Sequence, residues 1–192
     1  MEFDNNLLED VSNTVAVADQ SPIYVNGYVN EGLLFDANAN QSVTSPTINL
    51  ANSDFTIDAW IYPTGFPNLI DHSIVGVCSI PTNYECLFLT IRQSSTSYIA
   101  YFGLYSDECS GNANIPLNQW THVAFVFNVN SLTQDIYING VLDATRSATG
   151  PYKGAPSVAT VGNIALIDTI SGTNYFQVKS SCFLLKMLLF VN

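Results

Sequence analysis

Two stretches of this chain alternate residue types with a period of two. One is residues 54–64, DFTIDAWIYPT, and the other is residues 119–145, QWTHVAFVFNVNSLTQDIYINGVLDAT. Such alternation sends successive side chains to opposite sides of a pleated strand. In the first stretch Phe55, Ile57, Ala59 and Ile61 share one face, and Thr56, Asp58, Trp60 and Tyr62 share the other. In the second, Val123, Phe125 and Phe127 oppose Trp120, His122, Ala124 and Val126. Pro63 ends the first run, because proline cannot donate to a ladder. Asn139-Gly140 stands between two further strand-like runs, where a type I′ turn needs positive φ at both positions. The pattern demands antiparallel sheet joined by tight hairpins.

Shorter runs extend it. Strands are expected near residues 32–36, 42–50, 73–78, 86–92, 98–105 and 157–162. Within the fourth run, cysteine apart, Leu87, Leu89 and Ile91 oppose Phe88 and Thr90. Residues 106–113, SDECSGNA, read as an acidic loop. No heptads and no long repeat occur, and no strong amphipathic helix precedes the C-terminal tail. An all-β, two-sheet antiparallel sandwich of about a dozen strands follows. At 192 residues the chain suits one such domain. Its 47% hydrophobic and 11% charged content argues against disorder.

The net charge is −11, from 16 acidic and 5 basic residues. Nucleic acid and anionic membrane surfaces are poor partners for such a chain. The acidity either keeps a charge-poor surface soluble or supplies carboxylates to a cation such as Ca²⁺. The four cysteines stand at 78, 86, 109 and 182, with no CxxC pair. Cys78 and Cys86 flank a short polar loop, and a disulfide across it is geometrically reasonable in an oxidising compartment. Cys86–Cys109 is the competing pair, and four free thiols are the remaining option. Asn40-Gln41-Ser42 is a glycosylation sequon in a secreted chain. The first ten residues, MEFDNNLLED, lack the basic start and apolar core of a signal peptide. No run has the length of a transmembrane helix. The chain is expected to be extracellular, as the ectodomain or other domain of a larger protein, rather than intracellular.

The runs SDFTIDAWIYPT, NQWTHVAFVFN and IYINGVLDAT, with GLLFDANANQSV before them, together resemble the concanavalin A-like lectin/glucanase superfamily, and within it the laminin G-like jelly-roll domains. Ala37 replaces the glycine usual in the family after Asp36. The resemblance covers roughly residues 2–177. It implies two antiparallel sheets with loops clustered at the rim, binding of glycan or protein ligands, and in many members a Ca²⁺ at one edge. Related glucan hydrolases carry a Glu-x-Asp-x-x-Glu strand. This chain has none, its pairs Glu9-Asp10 and Asp107-Glu108 have the wrong spacing, and no GxSxG elbow exists. An enzyme is therefore not expected.

Candidate ligand contacts are Asp107 and Glu108 on the acidic loop, and Trp60, Tyr62, Tyr101 and Tyr105 as stacking platforms for sugar rings. The plain alternatives are a solvated loop and ordinary packing. Asp36 and Asp107 are the candidate ligands for a rim Ca²⁺. An EF-hand is excluded because Gln41 and Thr47 stand where Gly and Glu belong. His122 reads as structural, able to hydrogen-bond across the sheet. The expected function is a non-catalytic extracellular recognition module binding glycan or protein through rim loops, with possible Ca dependence. The alternative is a structural or adhesive spacer with no ligand pocket of its own; a glycoside hydrolase-like enzyme ranks third.

The domain is assigned to residues 1–177. The remainder, 178–192, reads VKSSCFLLKMLLFVN, without the alternating closing strand that the resemblance implies. Nine of the ten residues from Cys182 to Val191 are apolar. Such a tail can pair as a makeshift closing strand, form a short helix or lie exposed. As an alternative or mis-read end of the gene product it would be dispensable, and truncation at Gln177 would leave thermal stability unchanged.

Overall fold

The computed structural model describes residues 7–9, 14–36, 39, 41–66, 71–78, 85–104, 107–162 and 184–191, with the backbone alone at 8, 9, 14 and 184–191. Every described element is a strand. In chain order they are β1 (Leu8–Glu9), β2 (Thr14–Val15), β3 (Val17–Ala18), β4 (Ile23–Asn26), β5 (Glu31–Leu34), β6 (Val43–Ile48), β7 (Phe55–Ile61) and β8 (Asp71–Cys78). There follow β9 (Cys86–Ser94), β10 (Ser97–Leu104), β11 (Asp107–Ser110), β12 (Thr121–Asn128), β13 (Thr133–Ile138), β14 (Val141–Ser147), β15 (Ser157–Val161) and β16 (Leu184–Val191). β1 and β2 make a small ribbon. The rest form two seven-stranded sheets. Sheet one runs β11-β10-β9-β8-β15-β6-β3, and sheet two runs β14-β13-β12-β7-β16-β5-β4.

The alternation works as the sequence implies. Phe55, Ile57, Ala59 and Ile61 of β7 are buried, as are Val123, Phe125 and Phe127 of β12. They face Leu87, Leu89 and Ile91 of β9 and Ala100, Phe102 and Leu104 of β10 within one core. Phe102 bridges the sheets, with its ring 6.2 Å from Phe55 and 5.9 Å from Phe125. Gln134 is buried in the same layer, and its Nε2 donates to the Phe102 carbonyl at 3.1 Å. At the hairpin between β13 and β14, Asn139 and Gly140 have φ of 51° and 78°. Both values are positive, as a type I′ turn requires. Cys78 and Cys86 are disulfide-bonded and are register partners at the base of the β8–β9 hairpin. Cys109 is free and buried.

One expectation changes, and one open choice is resolved. The acidic stretch after residue 106 is not a loop: Asp107–Ser110 forms β11, paired with β10. The tail is not left unpaired. β16 lies between β5 and β7, with Leu184 opposite Leu34 and Lys186 to Val191 opposite Trp60 to Phe55. Pairing as a closing strand is one of the three options the tail's residues leave open, and β16 takes it without a period-two pattern. A closing strand is placed by its register, and backbone pairing tolerates most side chains.

Candidate functional site

The outer face of sheet two gathers aromatic rings from three places in the chain. β7 and β12 are antiparallel neighbours, with His122 opposite Trp60 and Thr121 opposite Ile61. Residues two apart on a strand share a face, so Trp60 and Tyr62 stand beside His122 and Trp120. The rings of Tyr62 and Trp120 lie 5.4 Å apart, and those of Trp60 and His122 lie 5.1 Å apart. Tyr28 arrives from the turn between β4 and β5. Its ring stacks on Trp60 at 3.7 Å, inclined by 11°, and meets Trp120 edge-on at 6.1 Å.

Local sequence holds this block in place. The Asn139 Oδ1 of the hairpin turn accepts from the His122 backbone N–H at 2.9 Å, while the Asn139 N–H donates to the His122 carbonyl at 2.8 Å. The Asn118 N–H donates to the Pro63 carbonyl at 2.7 Å, tying the approach to β12 onto the end of β7. A polar pair borders the rings: His122 Nε2 lies 3.2 Å from Asp58 Oδ1, across β12 and β7. The block therefore offers flat apolar faces beside one carboxylate and one imidazole. Such a surface suits a ligand with an apolar ring face and hydroxyl groups at its margin.

The other sequence-derived candidates lie elsewhere. Tyr101 is on sheet one, 7% exposed, beneath the Arg92 guanidinium, whose carbon sits 3.4 Å from the ring centroid. Burial raises the Tyr101 phenol above its usual range. Arg92 is also clamped by Asp71, with Nε to Oδ1 at 2.5 Å and Nη2 to Oδ2 at 2.8 Å. Asp107 is fully buried. Its Oδ2 accepts from the Thr149 N–H at 2.5 Å and the Thr149 Oγ1 at 3.1 Å, and Arg146 Nη2 lies 3.0 Å from Oδ1. Glu108 is half-buried, and its carbonyl accepts from Arg146. Nearby, the Asn112 and Ala113 N–H groups donate to Asp143 at 2.8 and 2.9 Å. Asp107 and Asp143 thus join edge strand β11 and the residues following it to edge strand β14. They are structural ties between the sheets, whatever else they touch.

Asp36 stands just after β5, near one margin of the sandwich, while Asp107 on β11 stands at the other. They do not gather into one site, and Asp107 already has partners on both oxygens. Ca²⁺ takes several oxygens at once, so Asp36 and Asp107 would each need further donors to hold one. No group of three or more His, Cys, Asp or Glu side chains converges among the described residues. Tyr105 and the sequon residue Asn40 lie outside the described residues. His72 is buried, with its ring 4.8 Å from that of Phe66.

Sequence reasoning placed Trp60 with Tyr62, and Trp120 with His122, on common faces. It did not join the two pairs, since nothing local says that β7 and β12 are neighbours. Tyr28 carried no signal, because it sits in a turn.

The laminin G-type family model, described as the concanavalin A-like lectin/glucanases superfamily, matches residues 36–179. No curated protein matches the chain. Among solved structures, the chain resembles domain 4 of AbnA, a GH43 extracellular arabinanase from Geobacillus stearothermophilus, in complex with arabinotriose. The identity is 15% and the TM-score 0.72, over 99% of this chain and 89% of that one. It also resembles the binding domain of Paraclostridial Mosquitocidal Protein 1, at 17% identity and TM-score 0.62, over 94% of this chain and 44% of that one. The heptameric SAP-like pentraxin of Limulus polyphemus follows at 18% identity and TM-score 0.56, over 81% and 70%. At these identities the likeness is one of fold, and the chain spans less than half of the toxin binding domain. With the family match covering most of its length and a two-sheet antiparallel jelly roll beneath it, the chain belongs to the concanavalin A-like lectin/glucanases superfamily.

Proposed function

We propose that this chain is a non-catalytic, extracellular glycan-binding module whose ligand rests on the aromatic block of sheet two. The observation that carries the reading is the convergence of Trp60, Tyr62, Trp120 and Tyr28 beside the Asp58–His122 pair. Sugar rings present apolar C–H faces to aromatic rings, and their hydroxyls pair with a carboxylate and an imidazole at the margin. Similar structures support it: the arabinanase domain holds arabinotriose, and another neighbour is described as a putative carbohydrate-binding protein from Bacteroides ovatus. The disulfide supports an oxidising setting. In this reading the Asp58–His122 pair orients the ligand by meeting its hydroxyls.

The test is a glycan array, followed by affinity electrophoresis in gels containing arabinan, xylan, β-glucan or galactomannan. Each is run with EDTA and with Ca²⁺, since a rim cation remains a proposal from the resemblance. Retardation of the chain by at least one polysaccharide is expected. The double variant Tyr62→Ala, Trp120→Ala should lose it by at least about tenfold, the usual cost of truncating anchor aromatics. A silent array and unretarded migration in all four gels would return the chain to the spacer reading.

A further inference from the structure

Tyr28 is an unusual member of the block. Trp60 stands on β7, Tyr62 just after it and Trp120 just before β12, whereas Tyr28 comes from the tip of the β4–β5 hairpin at the margin of the sheet. Between β5 and β7 lies β16, so the turn reaches over that strand to lay the ring on Trp60. The turn has a defined form: the Gly27 N–H donates to the Asn30 carbonyl at 2.8 Å, and Asn30 has φ of 52°. An added Cβ at Gly27 would come within 3.0 Å of Glu31 and Val29 backbone atoms, so the turn is tightly closed. One face of Tyr28 is covered by Trp60, and Trp120 bounds its flank. Yet Tyr28 remains 54% exposed, while Trp60, Tyr62 and Trp120 are all partly covered. What solvent sees first at this block is the outward face of Tyr28.

Resting on the glycan-binding reading above, we propose that Tyr28 is the primary contact ring and specificity-determining residue of the site, taking one uncharged sugar ring at a chain end or side branch. Trp60 backs the phenol ring, so little freedom is lost when a ligand settles on it. Trp120 forms a side wall, and Asp58 with His122 meets hydroxyls at the margin. The raised ring covers Trp60 and interrupts the row that Trp60 and Tyr62 would otherwise make along β7. A continuous row would take several backbone sugars in line, whereas a single raised ring takes one. Asp58 at the site and a net charge of −11 disfavour an acidic sugar, although Lys186 holds the register position opposite Trp60 on β16.

The probes are arabino-, xylo-, cello- and manno-oligosaccharides, each as trisaccharide and hexasaccharide, titrated by calorimetry. For whichever series binds, affinity per molecule should stay within about threefold from three sugars to six. Tyr28→Ala should weaken binding by at least about tenfold, the scale of an anchor aromatic. Tyr28→Phe should stay within about twofold, since stacking rather than the hydroxyl carries the contact. Val17→Ser, exposed on edge strand β3 of sheet one, serves as the unaffected control. Melting curves separate lost binding from lost folding. Tighter binding by Tyr28→Ala would make the ring an obstacle, and unchanged binding would make it a bystander; either overturns the inference while leaving the module reading intact, provided that Tyr62→Ala, Trp120→Ala still loses binding. Affinity that climbs steeply with chain length also overturns it. No binding by the wild-type chain to any of the four series overturns the inference, and together with a silent array it overturns the module reading as well.

Discussion

The carboxylate of Asp107 is wholly buried, and a buried charge persists only with partners. It has Arg146 on one oxygen and two Thr149 donors on the other. Arg146 is about half exposed and can return to water, so the cost of losing Asp107 lies mostly in the orphaned Thr149 donors. Asp107→Ala should therefore lower the unfolding free energy by about 2 kcal/mol in urea titration. Glycan affinity should not change. A loss of affinity without a loss of stability would restore Asp107 as a ligand residue. Two further buried groups set an alkaline limit. Burial pushes the Cys109 thiol up to about 11 from 9.0, and pushes the Tyr152 phenol up to about 12 from 10.0. Above pH 9 the unfolded chain loses these protons while the folded chain keeps them, so stability falls as pH rises. The melting temperature should hold to about pH 8 and decline between about 9 and 12. A flat profile to pH 11 would contradict the burial of both groups.

Strand β16 is the element whose role differs most from what its residues suggest. It pairs with β5 on one side and with β7 along six register positions on the other. Removing it would part β5 from β7 and expose two unpaired edges in the middle of sheet two. Ending the chain at Gln177 should therefore lower the melting temperature by more than about 10 °C, or prevent folding. That outcome is the reverse of the one expected from a dispensable tail. A truncated chain with unchanged melting would show that β16 adds nothing to the sheet. Elements also decide which aromatics meet. β7 and β12 are separated by sheet-one strands in sequence, yet they are direct neighbours in sheet two.

At the scale of the molecule the two sheets share one core and are laced along one margin. Phe55, Phe102 and Phe125 cross the interface, and Asp107–Arg146 and Asp143 tie β11 and its following residues to β14. The described buried residues of both sheets form one core. Scanning calorimetry should give a single transition with matching calorimetric and van't Hoff enthalpies. Two resolved transitions would mean that the sheets unfold separately.

Strand type, facing and turn chemistry are local properties, and the residues themselves determine them. The alternation in 54–62 and 120–127 placed Phe55, Ile57, Val123 and Phe125 inside, and Trp60, Tyr62, Trp120 and His122 outside. Asn139-Gly140 specified its turn because few residues tolerate positive φ. The residues left the Cys78–Cys86 pairing as one option beside Cys86–Cys109 and free thiols, and the β8–β9 register selected it. Neighbourhood is not local. That β12 lies beside β7, that Tyr28 reaches Trp60, that residue 107 begins a strand rather than sitting in a loop, and that 184–191 completes sheet two were decided only when the whole chain closed. Strand order arises from long-range pairing, in which backbone groups are nearly interchangeable and the choice falls to how the two sheets can jointly bury their apolar faces.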